Sequence, residues 1–372
     1  MKKIVFLTGT RADFGKIKSL LNILQNQEEF EAHIFVTGMH LMETYGYTLI
    51  EIERSGFQNI HTFKNDTSEN TMDLTLAKTI EGFSSFVNKV KPDMIVVHGD
   101  RVEALAGAIV GSLNNILVSH IEGGEVSGTI DELIRHSTSK MSHVHFVSNT
   151  EARDRLVQMG ELPKSIYTIG SPDVDIMFSS NLPNISEVKS HYEIPFENFT
   201  VAMFHPVTTE IENMAQYAEN FTEALLSSER NFVVIYPNND LGSAHILASF
   251  DKLKNHPRFR VIPSVRFEYF LTLLKKADGI VGNSSAGIRE APYYGIPTIN
   301  IGTRQENRAV HSHIINTSYG TAEILSALNQ PQEKIEVDVT AYGSGNSSEL
   351  FLDSLKTDEI WALNHQKQFR DV

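Results

Sequence analysis

The sequence predicts an α/β protein built from two doubly wound, Rossmann-like domains that follow one another along the chain. At 372 residues, the chain is long enough for roughly two domains of ordinary size. Short, uniformly apolar segments alternate with helix-length segments, which is typical of parallel sheets covered by helices on both faces. This alternation stops near residue 172, gives way to a polar connector over 179–199, and then begins again. We therefore expect two parallel sheets rather than one.

The first domain is predicted to span residues 1–172. Its strands are expected at six apolar segments: 3–8, 33–37, 94–98, 116–120, 143–147 and 166–169. Helices are expected between these strands, for example over 14–26 and 101–113. The polar segment 62–70 is predicted to be a mobile loop.

The second domain is predicted to span residues 173–350. Its strands are expected at five segments: 199–204, 232–236, 260–262, 279–282 and 298–301. Helices again lie between them, for example over 214–227 and 267–276. The tail, 351–372, is predicted to be helical and carries the single tryptophan. Because apolar residues recur along it, we expect it to pack back on the N-terminal domain.

Composition narrows the function classes. Cysteine is absent, which excludes a disulfide framework, a thiol nucleophile and a cysteine-ligated zinc site, and fits a reducing cytoplasm. The first apolar run is too short for a signal peptide, and no segment reaches the length of a membrane span. The net charge of −14 argues against nucleic acid or an anionic membrane as a partner. We therefore expect a cytoplasmic protein that acts on a small molecule.

Polar clusters follow the predicted strands at the points where the strands end. Parallel strands bring their carboxyl ends to one edge of a sheet, and two doubly wound domains can place those edges across a cleft. We therefore expect the clusters to line one site between the domains. They occupy 8–13, 98–101, 120–125, 205–210, 236–240 and 282–290.

Carboxylates are the candidate acid–base groups. Asp100 and Glu122 each follow an apolar strand beside a glycine, and Asp131 and Glu132 follow a glycine-rich loop. Carboxylates that converge on one cleft repel each other, so at least one can acquire a pKa suited to general acid–base work. The alternative for Asp100 is a helix cap, and the alternative for Asp131 and Glu132 is simply the favourable start of a helix.

The segment 282–290 predicts an anion-binding turn. It joins an apolar strand to a predicted helix, and such turns aim backbone N–H groups and a helix dipole at anions. Ser284 and Ser285 add hydroxyl donors, Glu290 could accept from a ribose, and Asn238 follows a neighbouring strand. The alternative is that small residues merely let a helix pack closely on a strand.

Cationic side chains also follow strand ends. Arg11, Arg101 and Arg304 could each bind phosphate in a bidentate manner. His205 could contact phosphate or act as an acid–base group, although a single histidine is often only structural. Arg135 is expected to pair with neighbouring acids instead.

A metal or a tightly bound cofactor is not expected. Several potential ligands are close in sequence, but no recognised metal-binding spacing joins them: His120, Glu122, His136, His143 and His145. The first-strand turn lacks the Gly-x-Gly-x-x-Gly spacing of a dinucleotide site, and no Walker A sequence is present. The prediction is therefore a site without metal, NAD or ATP hydrolysis.

Five motifs occur in order along nearly the whole chain: Gly-Thr-Arg-Ala-Asp at 9–13, His-Gly-Asp-Arg at 98–101, His-Ile-Glu-Gly-Gly-Glu-Val-Ser-Gly-Thr-Ile-Asp-Glu at 120–132, His-Pro-Val-Thr-Thr-Glu at 205–210 and Gly-Asn-Ser-Ser at 282–285. Together these motifs strongly resemble those of the UDP-N-acetylglucosamine 2-epimerases. The runs Gly-Glu-Val-Ser-Gly-Thr-Ile-Asp at 124–131 and His-Pro-Val-Thr-Thr at 205–209 resemble the hydrolysing branch of that family more narrowly.

The resemblance implies a glycosyltransferase-B-like fold, no metal or nicotinamide cofactor, and a homodimer. It implies loss of the proton on sugar carbon 2 with departure of UDP, a 2-acetamidoglucal intermediate, and water addition to give N-acetylmannosamine for sialic acid synthesis. Asp100, Glu122 and Asp131 would be the acid–base groups, and which one takes the carbon-bound proton stays open. His205 would also act in the site by contacting the phosphates. The expected UDP ligands are Arg11, Arg101, His205, Asn238, Ser284, Ser285, Glu290 and Arg304.

Other functions fit parts of the pattern. Within the family, the sugar could be a 2,4-diacetamido-6-deoxy analogue, or the product could be UDP-N-acetylmannosamine, as in the non-hydrolysing branch. Outside it, a glycosyltransferase shares the fold, but the run 120–132 argues against one. A non-catalytic nucleotide-sugar binding module is disfavoured because Asp100, Glu122 and Asp131 are all present.

Overall fold

A computed structural model of the protein describes residues 1–67, 71–127, 130–306, 314–331, 334 and 342–371. The strands are β1 (Lys2–Thr8), β2 (Phe30–Val36), β3 (Asn59–Thr62), β4 (Met94–His98), β5 (Leu117–Ile121), β6 (Val144–Val147), β7 (Ile166–Thr168), β8 (Thr200–Met203), β9 (Phe232–Ile235), β10 (Phe259–Ile262), β11 (Gly279–Gly282), β12 (Thr298–Ile301) and β13 (Ile314–Thr317).

The α-helices are α1 (Arg11–Gln25), α2 (Leu49–Arg54), α3 (Met72–Val90), α4 (Val102–Leu113), α5 (Ile130–Met141), α6 (Thr150–Gln158), α7 (Pro172–Met177), α8 (Ile185–His191), α9 (Met214–Ser227), α10 (Ser243–Phe250), α11 (Phe267–Lys276), α12 (Glu290–Tyr293), α13 (Thr321–Asn329), α14 (Ser347–Leu355) and α15 (Asp358–Trp361). Short 3₁₀ turns lie between several of them.

The two sheets confirm the predicted fold class of successive doubly wound α/β domains. The first sheet has the strand order β3-β2-β1-β4-β5-β6-β7, and the second has the order β10-β9-β8-β11-β12-β13. All of the strand pairs in both sheets are parallel. The strand order reverses between β1 and β4 in the first sheet and between β8 and β11 in the second. Ligands of open α/β sheets bind beyond the carboxyl ends of strands at such switch points.

The chain divides into two compact units at other points than the boundaries expected after residues 172 and 350. Unit 1 comprises Met1–Glu125, Asp131–Ser179 and the described C-terminal residues from 342 onward. Unit 2 comprises the described residues between Ser180 and residue 334, together with the short segment around Val126. The helix α7 belongs to unit 1 because it packs against α1 and α14.

The C-terminal helices complete the core of unit 1. Phe351 of α14 is fully buried, with its ring 6.3 Å from that of Phe6 and 4.8 Å from that of Phe146. Trp361 of α15 stacks on Phe30 at 6.3 Å. This segment therefore covers one face of the first sheet with apolar side chains, which removes that face from water.

Two edge strands, β3 and β13, were not predicted from the sequence. β3 overlaps the start of the predicted mobile loop 62–70. Asn65 in that loop is buried, accepting from the Gly38 N–H at 3.0 Å and donating to Thr79 Oγ1 at 2.9 Å. Residues 68–70 of the loop lie outside the described residues. Among the described residues, we find no helix with the length and apolarity needed to cross a bilayer.

Candidate active site

The switch point of the first sheet holds a buried row of charged side chains. His98 is the last residue of β4, and its Nδ1 lies 3.1 Å from Asp13 Oδ1 while its Nε2 lies 3.3 Å from Glu122 Oε1. Lys16 Nζ lies 3.6 Å from the same Glu122 oxygen and 3.3 Å from Asp173 Oδ2. Acidic and basic groups therefore alternate in the row, which we call the charge row: Asp13, His98, Glu122, Lys16 and Asp173.

Local structure explains how the side chains of the charge row come together. Thr10 caps α1 by accepting from the Asp13 N–H at 3.1 Å, and Asp13 Oδ2 accepts from the Gly9 N–H at 3.0 Å. Lys16 follows Asp13 by three residues, so both side chains lie on one face of α1. The register of β4 and β5 pairs His98 with Ile121, which brings the next residue, Glu122, beside the imidazole.

Protonation of His98 follows from its surroundings. Burial alone lowers the pKa of an imidazole, but the carboxylates of Glu122 and Asp13 outweigh this and raise the pKa of His98 to about 9. The side chain is therefore an imidazolium at neutral pH, and it balances the two carboxylates that flank it.

Glu122 has an unusual backbone conformation, and hydrogen bonds to its backbone and its side chain hold it in place. Its φ is +65°, a left-handed value that costs a non-glycine residue on the order of 1 kcal/mol. Its side chain is only 4% exposed. The Glu122 N–H donates to Phe146 O at 3.1 Å, and Ser171 Oγ donates to the carboxylate at 3.0 Å. Strain that is retained in this way is typical of functional sites.

Arg135 links the two carboxylate-bearing loops. Its guanidinium, 2% exposed, donates through Nη1 to the Glu122 carbonyl at 2.8 Å and pairs through Nη2 with the Asp100 carboxylate. The predicted pairing of Arg135 with neighbouring acids therefore includes Asp100 itself. Asp100 does not occupy the cap position of α4, because α4 begins at Val102 with Arg101 at its N-cap.

Asp131 lies in the first turn of α5, one helical turn before Arg135. This position also agrees with the simpler expectation that acids favour the start of a helix. Its neighbour Glu132 lies 3.5 Å from His136 Nε2 on the same helix. The structure thus brings Asp100 and Glu122 together through a shared arginine and places Asp131 on the helix that supplies this arginine.

Two of the predicted phosphate ligands in unit 1 are held by carboxylates. Arg11 Nη2 lies 2.6 Å from Glu51 Oε1. Arg101 Nε donates to Oε2 of the buried Glu103 at 3.3 Å. Each carboxylate restricts the orientation of its guanidinium, which lowers the entropy lost when a ligand binds.

The histidines considered as metal ligands have separate structural contacts. His120 bridges Gly99 O at 2.8 Å and Ser139 Oγ at 2.9 Å, and burial lowers its pKa to about 3. His143 Nδ1 accepts from the Val118 N–H at 3.1 Å. His145 contacts a different carboxylate, that of Glu161, at 3.0 Å. Within the part of the chain that the structure describes, no group of three or more His, Asp or Glu side chains could hold a metal ion.

The switch point of the second sheet holds His205. Asn283 joins the loops after β8 and β11, since it accepts from the His205 N–H at 2.6 Å and donates to the His205 carbonyl at 2.8 Å. The Asn238 N–H donates to His205 Nδ1 at 3.0 Å. Because Nδ1 accepts a hydrogen bond, the neutral imidazole carries its proton on Nε2.

The helix expected over 289–294, after the predicted anion-binding turn, is present as α12 but is shorter than expected. Ser284 caps a single 3₁₀ turn by accepting from the Ala286 N–H at 3.3 Å, and α12 is only four residues long, beginning at Glu290. A helix this short has a small dipole, so backbone N–H groups and hydroxyls are the main donors that the turn can offer an anion.

The loop after β12 contacts the same turn. Arg304 Nη1 and Gln305 Nε2 both donate to the Asn283 carbonyl, at 3.2 and 2.9 Å. The close-packing alternative also has support, because a Cβ at Gly287 would lie 2.7 Å from Thr298 Cγ2. Among the predicted residues of unit 2, hydrogen bonds thus join His205 to Asn238 and, through Asn283, to Arg304. Ser284 and Ser285 follow Asn283 in the turn, and Glu290 begins α12.

Sequence reasoning missed most of the charge row. Asp13 and His98 lie inside quoted motifs, but no role was assigned to them. Lys16 had a usable signal, since it follows Asp13 by about one helical turn. Ser171 and Asp173 lie at the predicted end of the first domain. The contacts of Ser171 with Glu122 and of Asp173 with Lys16 depend on how α7 packs.

Comparisons with known proteins identify the family of this chain. A family model described as UDP-N-acetylglucosamine 2-epimerase matches residues 22–356. The UDP-N-acetylglucosamine 2-epimerase of Neisseria meningitidis is 50% identical over 100% of both chains. The UDP-N,N'-diacetylbacillosamine 2-epimerase (hydrolyzing) of Legionella pneumophila is 32% identical over 96% of each chain.

Structural similarity extends over nearly the whole chain. The UDP-GlcNAc 2-epimerase of Methanocaldococcus jannaschii, solved with UDP-GlcNAc and UDP, matches with a TM-score of 0.80 at 22% identity, covering 95% of this chain and 99% of that one. This match confirms the predicted glycosyltransferase-B-like fold class. From the family model and the identity over the full length, the chain belongs to the UDP-N-acetylglucosamine 2-epimerase family of enzymes.

Proposed function

We propose that the protein is a hydrolysing 2-epimerase that converts UDP-N-acetylglucosamine to N-acetylmannosamine and UDP, at the start of sialic acid synthesis. The 50% identity with the Neisseria enzyme over both full chains is the observation that carries this proposal. The carboxylates that the reaction needs are present and buried or half-buried around Arg135. We further propose a cytoplasmic homodimer without metal or cofactor, which light scattering and metal analysis of the purified protein would test.

The proposed reaction removes the proton on sugar carbon 2 while the bond from carbon 1 to the UDP oxygen breaks. The electron pair of the C–H bond forms the double bond of 2-acetamidoglucal, and UDP leaves with the electron pair of the C–O bond. Water then adds across the double bond. Its oxygen bonds to carbon 1, and a proton is added to carbon 2 on the face opposite to the one from which the first proton was removed. Asp100, Glu122 and Asp131 are the proposed proton donors and acceptors.

Departure of UDP requires stabilisation of a diphosphate that gains negative charge. We assign this role to the cationic and hydroxyl groups that the resemblance implied: Arg11, Arg101, His205, Ser284, Ser285 and Arg304. His205 suits it because its neutral form offers an N–H at Nε2. Glu290 is assigned to the ribose hydroxyls, and Asn238 is assigned to UDP through the loop that also orients His205.

Product identity tests the proposal. Proton NMR of the protein with UDP-N-acetylglucosamine should show UDP and free N-acetylmannosamine accumulating together. UDP-N-acetylmannosamine as the stable product would instead place the chain in the non-hydrolysing branch. A requirement for an acceptor sugar would show glycosyl transfer.

A second candidate substrate has its own support. The Legionella relative, 32% identical, is named for UDP-N,N'-diacetylbacillosamine. That sugar carries an acetamido group on carbon 4 and lacks the hydroxyl on carbon 6. Comparing kcat/KM for the two UDP-sugars decides between them, and we expect the higher value for UDP-N-acetylglucosamine because the Neisseria relative shares more of the sequence.

A further inference from the structure

Asp13 lies outside the proposed set of acid–base groups, yet its position is tightly defined. One oxygen of the Asp13 carboxylate accepts from the Gly9 N–H at 3.0 Å, and the backbone N–H of Asp13 donates to Thr10 Oγ1 at 3.1 Å. These bonds fix the first turn of α1. They leave the other carboxylate oxygen facing His98 Nδ1 at 3.1 Å.

His98 in turn faces the reactive end of Glu122. Its Nε2 lies 3.3 Å from Glu122 Oε1, and the side chains of both residues are almost completely removed from water. Glu122 has a left-handed backbone conformation, which a non-glycine residue does not favour by itself. Contacts with neighbouring residues must therefore hold Glu122 in place. Contacts to its carboxylate therefore decide where that group points.

We propose that Asp13 is a positioning residue that acts through His98 to hold the Glu122 carboxylate where the epimerase reaction needs it. This inference rests on the proposed function. Asp13 Oδ1 lies within ion-pair distance of the far nitrogen of the imidazole, at 3.1 Å, and a carboxylate in this place can orient a histidine, as in other acid–base sites. Its negative charge also favours the imidazolium that pairs with Glu122.

Charged groups around His98 set the pH range of this arrangement. The direct contacts are Asp13 on α1 and Glu122 after β5, while Lys16 contacts Glu122 from α1. Burial opposes the charged form, and Glu122 and Asp13 overcome it to raise the pKa of His98 to about 9. His120 on the neighbouring strand is neutral, because burial lowers its pKa to about 3. Removing the Asp13 charge should therefore lower the pKa of His98.

A purely structural role for Asp13 makes a different prediction. It would lower stability or expression and leave the pH dependence of turnover unchanged. The variant Asp13→Asn separates the two roles, because asparagine is close in shape and can still accept from the Gly9 N–H. Glu161→Gln is the matched control, since it removes another buried carboxylate that contacts a histidine, His145, at 3.0 Å in the same unit.

The experiment measures kcat and KM for UDP-N-acetylglucosamine from pH 6 to 10, together with UDP affinity, in five proteins. These are the wild type, Asp13→Asn, His98→Gln, the double variant of Asp13 and His98, and the control Glu161→Gln. We expect Asp13→Asn to lower kcat about 10- to 100-fold, the size typical of residues that orient a functional group from behind. The alkaline limb of the pH profile of kcat should move to lower pH in Asp13→Asn. Its affinity for UDP should stay within about twofold of the wild-type value. The double variant should be no slower than His98→Gln alone, because Asp13 acts through His98.

Several outcomes would overturn the inference. One is a wild-type alkaline limb in Asp13→Asn, another is multiplicative losses in the double variant, and a third is the same shifted limb in Glu161→Gln. If Asp13→Asn fails to fold, a wild-type alkaline limb in His98→Gln overturns it equally. Failure of the wild type to release UDP from this substrate would overturn the proposed function, whereas active wild type with an unshifted Asp13→Asn overturns the positioning role alone.

Discussion

Arg135 offers a sharp test of how the carboxylates are held together. Replacing it with methionine removes the 2.8 Å hydrogen bond to the Glu122 carbonyl and the pairing with Asp100. A charged hydrogen bond in a buried setting contributes about 2 kcal/mol. The Asp100 side chain is 24% exposed, so water compensates part of the lost pairing, and that loss should be about 1 kcal/mol. We therefore expect the free energy of unfolding of unit 1 to fall by about 3 kcal/mol.

The chain contains its own probe for this measurement. Trp361 is the single tryptophan, and it stacks on Phe30 in unit 1, so its fluorescence in urea reports the unfolding of that unit. Arg153→Met is the matched control, because the Arg153–Asp154 contact of 3.5 Å is solvent-exposed and should contribute less than about 1 kcal/mol.

Activity separates the shape of Arg135 from its charge. Arg135→Lys keeps the charge, but one ammonium cannot reproduce a fork that reaches two acceptors. We expect kcat to fall about 100-fold, which corresponds to about 2.7 kcal/mol in the barrier. Wild-type kcat in Arg135→Lys, or equal unfolding midpoints for Arg135→Met and Arg153→Met, would refute the linking role.

Three further comparisons of variants test ligand binding, pH dependence and backbone packing. Ser285→Ala should weaken UDP binding several-fold by calorimetry, whereas Glu122→Gln should keep UDP binding and lose most turnover; the reverse pattern would exchange their roles. His98 has a pKa raised from 6.5 to about 9, so its stabilisation is present below pH 6.5 and is lost as pH rises through 9. This shift corresponds to about 3 kcal/mol, and a His98→Gln variant should lack that alkaline loss in urea titrations. Gly282→Ala should destabilise unit 2 by more than about 3 kcal/mol in thermal melts, because φ is +136° and a Cβ would collide with a backbone carbonyl. Gly56→Ala, with φ +80° and no described heavy atom within 4 Å of the new Cβ, should cost only about 1 kcal/mol, and equal losses would contradict the steric reasoning.

Strands buried on both faces could be predicted from the sequence because their apolar runs are uninterrupted. β4 and β5, for example, are buried along almost their whole length. The edge strands β3 and β13 could not, since their side chains are only partly buried and show no apolar run. Register with a neighbouring strand, rather than composition, defines these edges.

The residues of the candidate site also fall into two groups, those whose positions could be predicted from the sequence and those whose contacts depend on tertiary packing. The positions of Asp100, Glu122 and His205 at the edges of the sheets could be predicted because each follows a buried strand within two residues, where a parallel sheet places ligand-binding groups. Asp173 could not, because its contact with Lys16 depends on the packing of α7 against α1. The helix predicted over 289–294 is present as the four-residue α12, whereas the 3₁₀ turn that precedes it was not predicted from the sequence.

In the proposed reaction the enzyme removes the carbon-2 proton, expels UDP and then adds water. Proton NMR of the reaction in deuterated water tests this most directly. We expect N-acetylmannosamine with deuterium at carbon 2 in every molecule, released together with UDP. N-acetylmannosamine that retains the original proton at carbon 2 would contradict it.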